Sequence, residues 1–182
     1  MSTTRTKTAR TFKTEAAILN GLAQLITQFP VAKISLSALA KQSGLTRSTV
    51  YNQVTSVSNA VNLLAEQLWI EAEAIAGQSA SLSANIAGLI DWIASDSRIQ
   101  GFRTHNPAAF QEVLASLCRL DNDTHAARVT EVLMRWSVAA DLDTATTFLR
   151  WISTWAIEPG SARERESASE LFAKVLILDV QA

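Results

Sequence analysis

Apolar residues in this chain recur every three or four positions almost from end to end, and they nowhere alternate one by one along a half-buried strand. That period gives each segment a single apolar stripe, so the expected fold class is all-α, about nine helices packed through those stripes. The first stripe begins near Thr11 with Ala16, Ile18, Leu19, Leu22, Leu25, Ile26 and Phe29, and Pro30 stops it. Ser35 caps a short helix through Ser43 with Leu36, Leu39 and Ala40 inward. Gly44 follows where a left-handed residue ends a helix, and Thr46 caps a second short helix to about Val54. A longer helix runs from about Ser58 to Ile75, carrying Val61, Leu64, Ala65, Leu68 and Trp69.

Beyond Gly77, Leu82, Ile86, Leu89, Ile90 and Ile93 mark another helix, and the polar stretch from Ser95 to Asn106 reads as a loop. Asn106-Pro107 suits a helix start, with Phe110, Val113, Leu114 and Leu117 on its apolar face. Asp123 opens the next helix, with Val129, Val132, Leu133 and Trp136 inward, and Asp141 or Asp143 opens the one after. Glu158-Pro159-Gly160 breaks that helix, and Ser161 to Glu164 forms a capping box for the last.

A chain of 182 residues, 48% of them apolar, buries a real core as one unit or two small ones. The division is expected inside the Ser58 to Gly77 helix, giving residues 1–60 and 61–182. No apolar run approaches the roughly 18 residues a membrane span needs, and Met1 to Arg10 lacks the apolar core of a secretory signal, so no membrane partner and a cytoplasmic location are expected. A single cysteine, Cys118, and two distant histidines offer neither a disulfide framework nor a ligand cluster, so no metal and no cofactor are expected. Cys118 reads as a small hydrophobe beside Leu114 and Leu117 rather than a redox sensor. There is no Glu-x-x-His pair, phosphate-cradling glycine loop or G-x-S-x-G elbow, so an enzyme is not expected.

Charge is segregated. Residues 1–60 carry seven Lys and Arg against one acidic residue, a net +6, whereas residues 61–182 carry nine against sixteen, a net −7. A basic end attracts phosphates and an acidic remainder repels them. Four of the seven cations, Arg5, Lys7, Arg10 and Lys13, lie in a Thr-rich start that reads as an arm without fixed structure, so a solvated basic tail is the competing explanation.

Ser35 to Val54 has the parts of a helix-turn-helix. Ala40 is small where two helices approach, Gly44 allows the tight turn, and Leu36, Leu39, Leu45 and Val50 hold the pair against the first helix. The second helix offers Arg47, Ser48, Thr49, Tyr51 and Asn52, hydrogen-bonding side chains suited to base edges and phosphates in a major groove. The competing explanation is an ordinary corner between two short helices.

The phrase Leu39-Ala40-Lys41-Gln42-Ser43-Gly44-Leu45-Thr46-Arg47-Ser48-Thr49-Val50-Tyr51 resembles the TetR family of bacterial regulators, and the likeness covers about Thr11 to Leu64. The resemblance implies a repressor that binds a palindromic double-stranded DNA operator as a homodimer and is released by a small-molecule inducer held in a helical C-terminal domain. It also implies that Thr46 caps the recognition helix, that Arg47 and Thr49 contact bases or phosphates, and that Tyr51 and Ser35 contact phosphates. Two positions depart from the family: Val54 stands where an aromatic is common, and Val57 near a lysine that touches the backbone. The basic arm is the candidate to supply the missing phosphate contact.

Candidate inducer contacts are Trp92, Phe102, His105, Phe110, Met134 and Trp136 on the central helices, against the simpler reading of core aromatics. The last two helices carry Phe148, Trp151, Ile152 and Trp155, then Leu171, Phe172, Val175 and Leu176. These are candidates for a subunit interface, with intramolecular core as the alternative. The alternative function is a helical adaptor with non-specific nucleic-acid affinity, and a helical enzyme stands behind it.

Overall fold

The computed structural model describes residues 2–117 and 123–178. Cys118 and the side chains of Arg5, Lys7, Arg10, Val113, Leu117 and Leu178 lie outside the described part. The described residues form ten α-helices and one 3₁₀ turn, with no strand among them. None of these helices is long and apolar enough to cross a membrane.

Helix α1 spans Ser2–Ile26. The basic start expected as an unfixed arm is therefore a continuation of the first helix. The physical reason is propagation: once the packed segment is helical, each further turn needs no new nucleus, and no Gly or Pro interrupts Ser2 to Asn20. Ile18, Leu22 and Ile26 lie on one stripe and are wholly buried. Phe29, counted with that stripe, falls beyond the helix end and is 45% exposed.

After a 3₁₀ turn at Val31–Lys33, α2 spans Leu36–Gln42 and α3 spans Arg47–Gln53. The expected caps are present: Ser35 Oγ accepts from the Ala38 N–H at 3.1 Å, and Thr46 Oγ1 accepts from the Thr49 N–H at 3.2 Å. Gly44 takes φ +66°, and the turn closes with Leu45 N–H donating to Ala40 O at 3.0 Å and Gly44 N–H to Lys41 O at 3.3 Å. That 6→1 and 5→2 pair requires a left-handed residue, which only glycine adopts without strain. Helix α1 comes close to the end of α2 at Gly21, where an added Cβ would strike Ser43 Oγ and lie 3.0 Å from Ser43 N.

Helix α4, Val57–Ile75, is followed by α5, Leu82–Ser95. The stretch expected as a loop is helix α6, Ser97–His105, capped by Asp96, whose Oδ1 accepts from Arg98 N–H at 2.9 Å and Ile99 N–H at 3.2 Å. Its periodicity is hidden because its closest packing runs through a glycine: a Cβ on Gly101 would lie 2.6 Å from Ile26 O and 3.0 Å from Thr27 Cα. Helices α7 (Pro107–Leu117), α8 (Asp123–Arg135), α9 (Leu142–Ile157) and α10 (Ala162–Leu178) complete the chain. Asp141 opens α9 by accepting from Thr144 N–H at 2.8 Å. The capping box before α10 is reciprocal, Ser161 N–H to Glu164 Oε2 at 2.6 Å and Glu164 N–H to Ser161 Oγ at 3.3 Å.

Two cores result. One gathers Ile18, Leu22, Ile26, Leu39, Val50, Val54 and Leu64 from α1 to α4. The other gathers Ile86, Ile90, Leu133, Phe148, Leu149, Ile152 and Leu176 from α5 to α10. Helix α4 serves both, with Ala60 and Leu64 in the first and Leu68, Trp69 and Ala72 against the second. Helix α6 does the same through Phe102 and Ile99.

Candidate nucleic-acid interface and ligand cavity

Helix α3 is seated by Val50 and, just past its end, Val54, both essentially fully buried. The opposite face therefore turns outward and presents Arg47, Ser48, Tyr51 and Asn52, with Thr49 half-buried. Tyr51 is 55% exposed rather than packed away on α1. The hydroxyls at its start share bonds: Thr46 Oγ1 lies 3.0 Å from Ser48 Oγ and 2.8 Å from Thr49 Oγ1. Ser35 is exposed at the start of α2. Val54 is interior, so an aromatic there would have to fit a filled core.

The electrostatics divide with the cores. Among the described residues the ion pairs join Arg98 to Glu71 and Asp96, Arg128 to Glu66 and Glu73, and Arg165 to Asp91, all beyond residue 60. Two bonds to Arg98 hold Glu71 below the ordinary carboxylate range against the opposing effect of burial. Lys13, Lys33, Lys41 and Arg47 are exposed and take part in none of these pairs, so their charge is available to an external anion.

Between the two cores lies a cavity of about 300 Å³. Leu68, Trp69 and Ala72 of α4, Trp92 of α5, Phe102 of α6, Phe110 and Leu114 of α7, Val129 of α8 and Phe148 of α9 contribute to its walls. Phe102 and Phe110 lie nearly parallel, with ring centroids 6.2 Å apart. Among the lining residues Asn62, Ala65 and Ala109 are exposed, which places the mouth between α4 and α7.

The polar side chains of the lining are Asn62, Glu73, Asn106 and Ser153. Glu73 accepts from Arg128 Nε at 2.7 Å and from Trp69 Nε1 at 2.8 Å. Desolvation pushes its carboxyl upward, but those two bonds and the Arg128 charge more than offset it and hold Glu73 below its ordinary value. Arg128 lies 5.2 Å from the centroid of the Trp69 ring, so the indole supports both members of the pair. Asn106 Oδ1 accepts from the Val31 N–H at 2.9 Å, while its Nδ2 is buried without an acceptor among the described residues.

Of the six residues expected at an inducer site, Trp92, Phe102 and Phe110 line the cavity. The others are elsewhere. His105 has Nε2 3.2 Å from Thr27 O at the end of α1, Met134 is 58% exposed on the surface, and Trp136 Nε1 donates to Ala76 O with its ring edge-on to Phe148. Trp69, Glu73 and Asn106 were missed. Trp69 and Glu73 lie on α4 and Asn106 between α6 and α7, and a helical stripe carries no mark of which gap its residues face.

The residues expected to join two subunits divide as well. Phe148, Ile152 and Leu176 are buried in the chain's own second core. Trp151 stacks on Phe172 at 4.0 Å between centroids and 9° between planes, and meets Trp155 edge-on at 6.1 Å. Leu171 and Val175, one turn apart on α10, are 63% and 52% exposed and remain as an open apolar ridge.

No family model and no curated protein sequence matches the chain. Similarity is visible at the level of fold. The TetR family repressor AlkX from Dietzia sp. strain DQ12-45-1b, implicated in biodegradation of n-alkanes, superposes with a TM-score of 0.61 at 19% identity, covering 89% of this chain and 94% of that one. The dihydroxyacetone kinase operon activator DhaS superposes with a TM-score of 0.60 at 13% identity, covering 92% of this chain and 96% of that one. The all-α fold described above is shared with these two structures.

Proposed function

We propose that the protein is a DNA-binding transcriptional regulator that binds a palindromic operator as a homodimer and responds to a small molecule held between its two cores. The observation that carries this reading is the pairing of the exposed face of α3 (Arg47, Ser48, Tyr51, Asn52) with the net positive charge of residues 1–60, whose exposed Lys13, Lys33, Lys41 and Arg47 join none of the ion pairs among the described residues. A major groove admits such a helix, and segregated charge orients it toward phosphates. The ridge of Leu171 and Val175 offers the surface on which two copies pair, setting two recognition helices roughly 34 to 36 Å apart for successive half-sites. The shared fold includes a repressor and an activator; release of DNA by the inducer, and hence repression, is the sign proposed here.

The test is a mobility-shift titration of the full chain on the DNA flanking its own gene, with Arg47→Ala and Tyr51→Phe alongside. Selective retardation that weakens about tenfold or more in Arg47→Ala supports the reading, since a lost base-edge or phosphate contact is worth roughly 1 to 3 kcal/mol. Salt-sensitive binding without sequence preference would instead favour the adaptor.

A further inference from the structure

The cavity between the cores is walled almost wholly by hydrocarbon, yet one polar group in its lining is only half bonded. Asn106 stands at the junction of α6 and α7. Its Oδ1 accepts from the Val31 N–H, which fixes the orientation of the amide because only the oxygen can accept there. Its Nδ2 is buried and finds no acceptor among the described residues. Interiors rarely keep an unpaired donor, because its desolvation is not returned, and such a group calls for a partner from elsewhere.

The remaining lining chemistry narrows that partner. Glu73, the ionisable group of the walls, is already engaged by Arg128 and Trp69. An anion in the cavity meets the Glu73 carboxylate in a low-dielectric space, and a cation has to displace Arg128 to pair there. Trp69, Trp92, Phe102, Phe110 and Phe148 give flat apolar surface that suits a ring system.

We propose that the cavity takes a neutral, largely aromatic molecule carrying one hydrogen-bond acceptor, such as a ketone, ester or amide carbonyl, and that Asn106 Nδ2 donates to that acceptor. The same amide then joins the ligand at one end to the Val31 N–H at the other, four residues ahead of the cap of α2. The binding step stands by itself. Its regulatory consequence rests on the DNA-binding reading above.

The experiment is calorimetric titration of the full chain with three probes: 2-acetylnaphthalene, its near-isostere 2-isopropenylnaphthalene, which lacks the acceptor, and the anion 2-naphthoate. The ketone is expected to bind once per chain, about five- to tenfold more tightly than the alkene, and naphthoate more weakly than both. Asn106→Asp keeps an oxygen for Val31 and removes the donor, so the preference for ketone over alkene should fall to about one. Ala72→Phe fills the cavity and should abolish binding of both neutral probes while far-ultraviolet circular dichroism stays helical. Equal affinity for ketone and alkene, a preference that survives Asn106→Asp, naphthoate binding tightest, or no neutral probe binding would each overturn the assignment. Mobility-shift titration of the same preparations separates the two readings. Ketone binding without selective DNA binding defeats the regulator reading alone, and selective DNA binding without ketone binding defeats the cavity assignment alone.

Discussion

Replacing Gly101 by alanine tests whether α6 is seated on α1 as described. The added Cβ would lie 2.6 Å from Ile26 O, 2.9 Å from Ile26 C and 3.0 Å from Thr27 Cα. Ordinary contact begins near 3.4 Å, so the helices must part by about 0.8 Å. The obstructing atoms are backbone at the end of α1, where Ile26 is fully buried, and they have no rotamer by which to move aside. Overpacking of this kind costs about 1–3 kcal/mol. Alanine's better helix propensity returns about 0.5–1 kcal/mol of that. Taking the middle of each range, the net destabilisation is about 1.3 kcal/mol, a fall in Tm of about 3–5 °C for a chain of this length. Gly88 of α5 is the control. It is exposed with nothing within 4 Å of an added Cβ, so Gly88→Ala keeps only the propensity gain and should raise Tm by about 2 °C. Thermal melts followed by circular dichroism compare the three proteins. If Gly101→Ala melts at or above the wild-type temperature, α6 does not rest on the Ile26 carbonyl.

Thr46→Ala removes the side-chain acceptor for the Thr49 N–H and should cost about 1 kcal/mol in urea unfolding; an unchanged midpoint would mean that α3 does not begin there. His125 on α8 is held below its ordinary pKa, first by burial and then by the charge of Arg128, against a smaller opposing effect of Glu66 on α4. The unfolded chain therefore takes up the proton first, and stability should fall as pH drops through about 6.5 toward the lower native value. In His125→Phe the loss of stability between pH 7.5 and 5.5 should shrink, and a loss as large as that of the wild type would defeat the assignment. Leu171→Glu with Val175→Glu places charge on the open ridge of α10; in sedimentation at micromolar concentration the proposed pairing predicts a dimer for the wild type and a monomer for this variant. A wild-type monomer at that concentration would count against the two-half-site arrangement.

Period and punctuation were enough to read the helical class and most of the helix starts, because both are local. A stripe at three- and four-residue spacing needs only its own segment, and Ser35, Thr46, Asp141 and the Ser161–Glu164 box act within one turn. The helix-turn-helix was legible for the same reason, since Gly44 and its flanking caps close the turn within ten residues. What the tertiary structure alone decided depends on groups distant in sequence. Helix α6 escaped because its key contact is the absence of a side chain at Gly101 against a backbone carbonyl 75 residues earlier. Phe148 and Ile152 carry the stripe of an interface, but the helices around α9 in the same chain cover them first. The cavity is likewise a property of six helices together, and a half-bonded amide at Asn106 becomes visible only when Val31 is brought beside it.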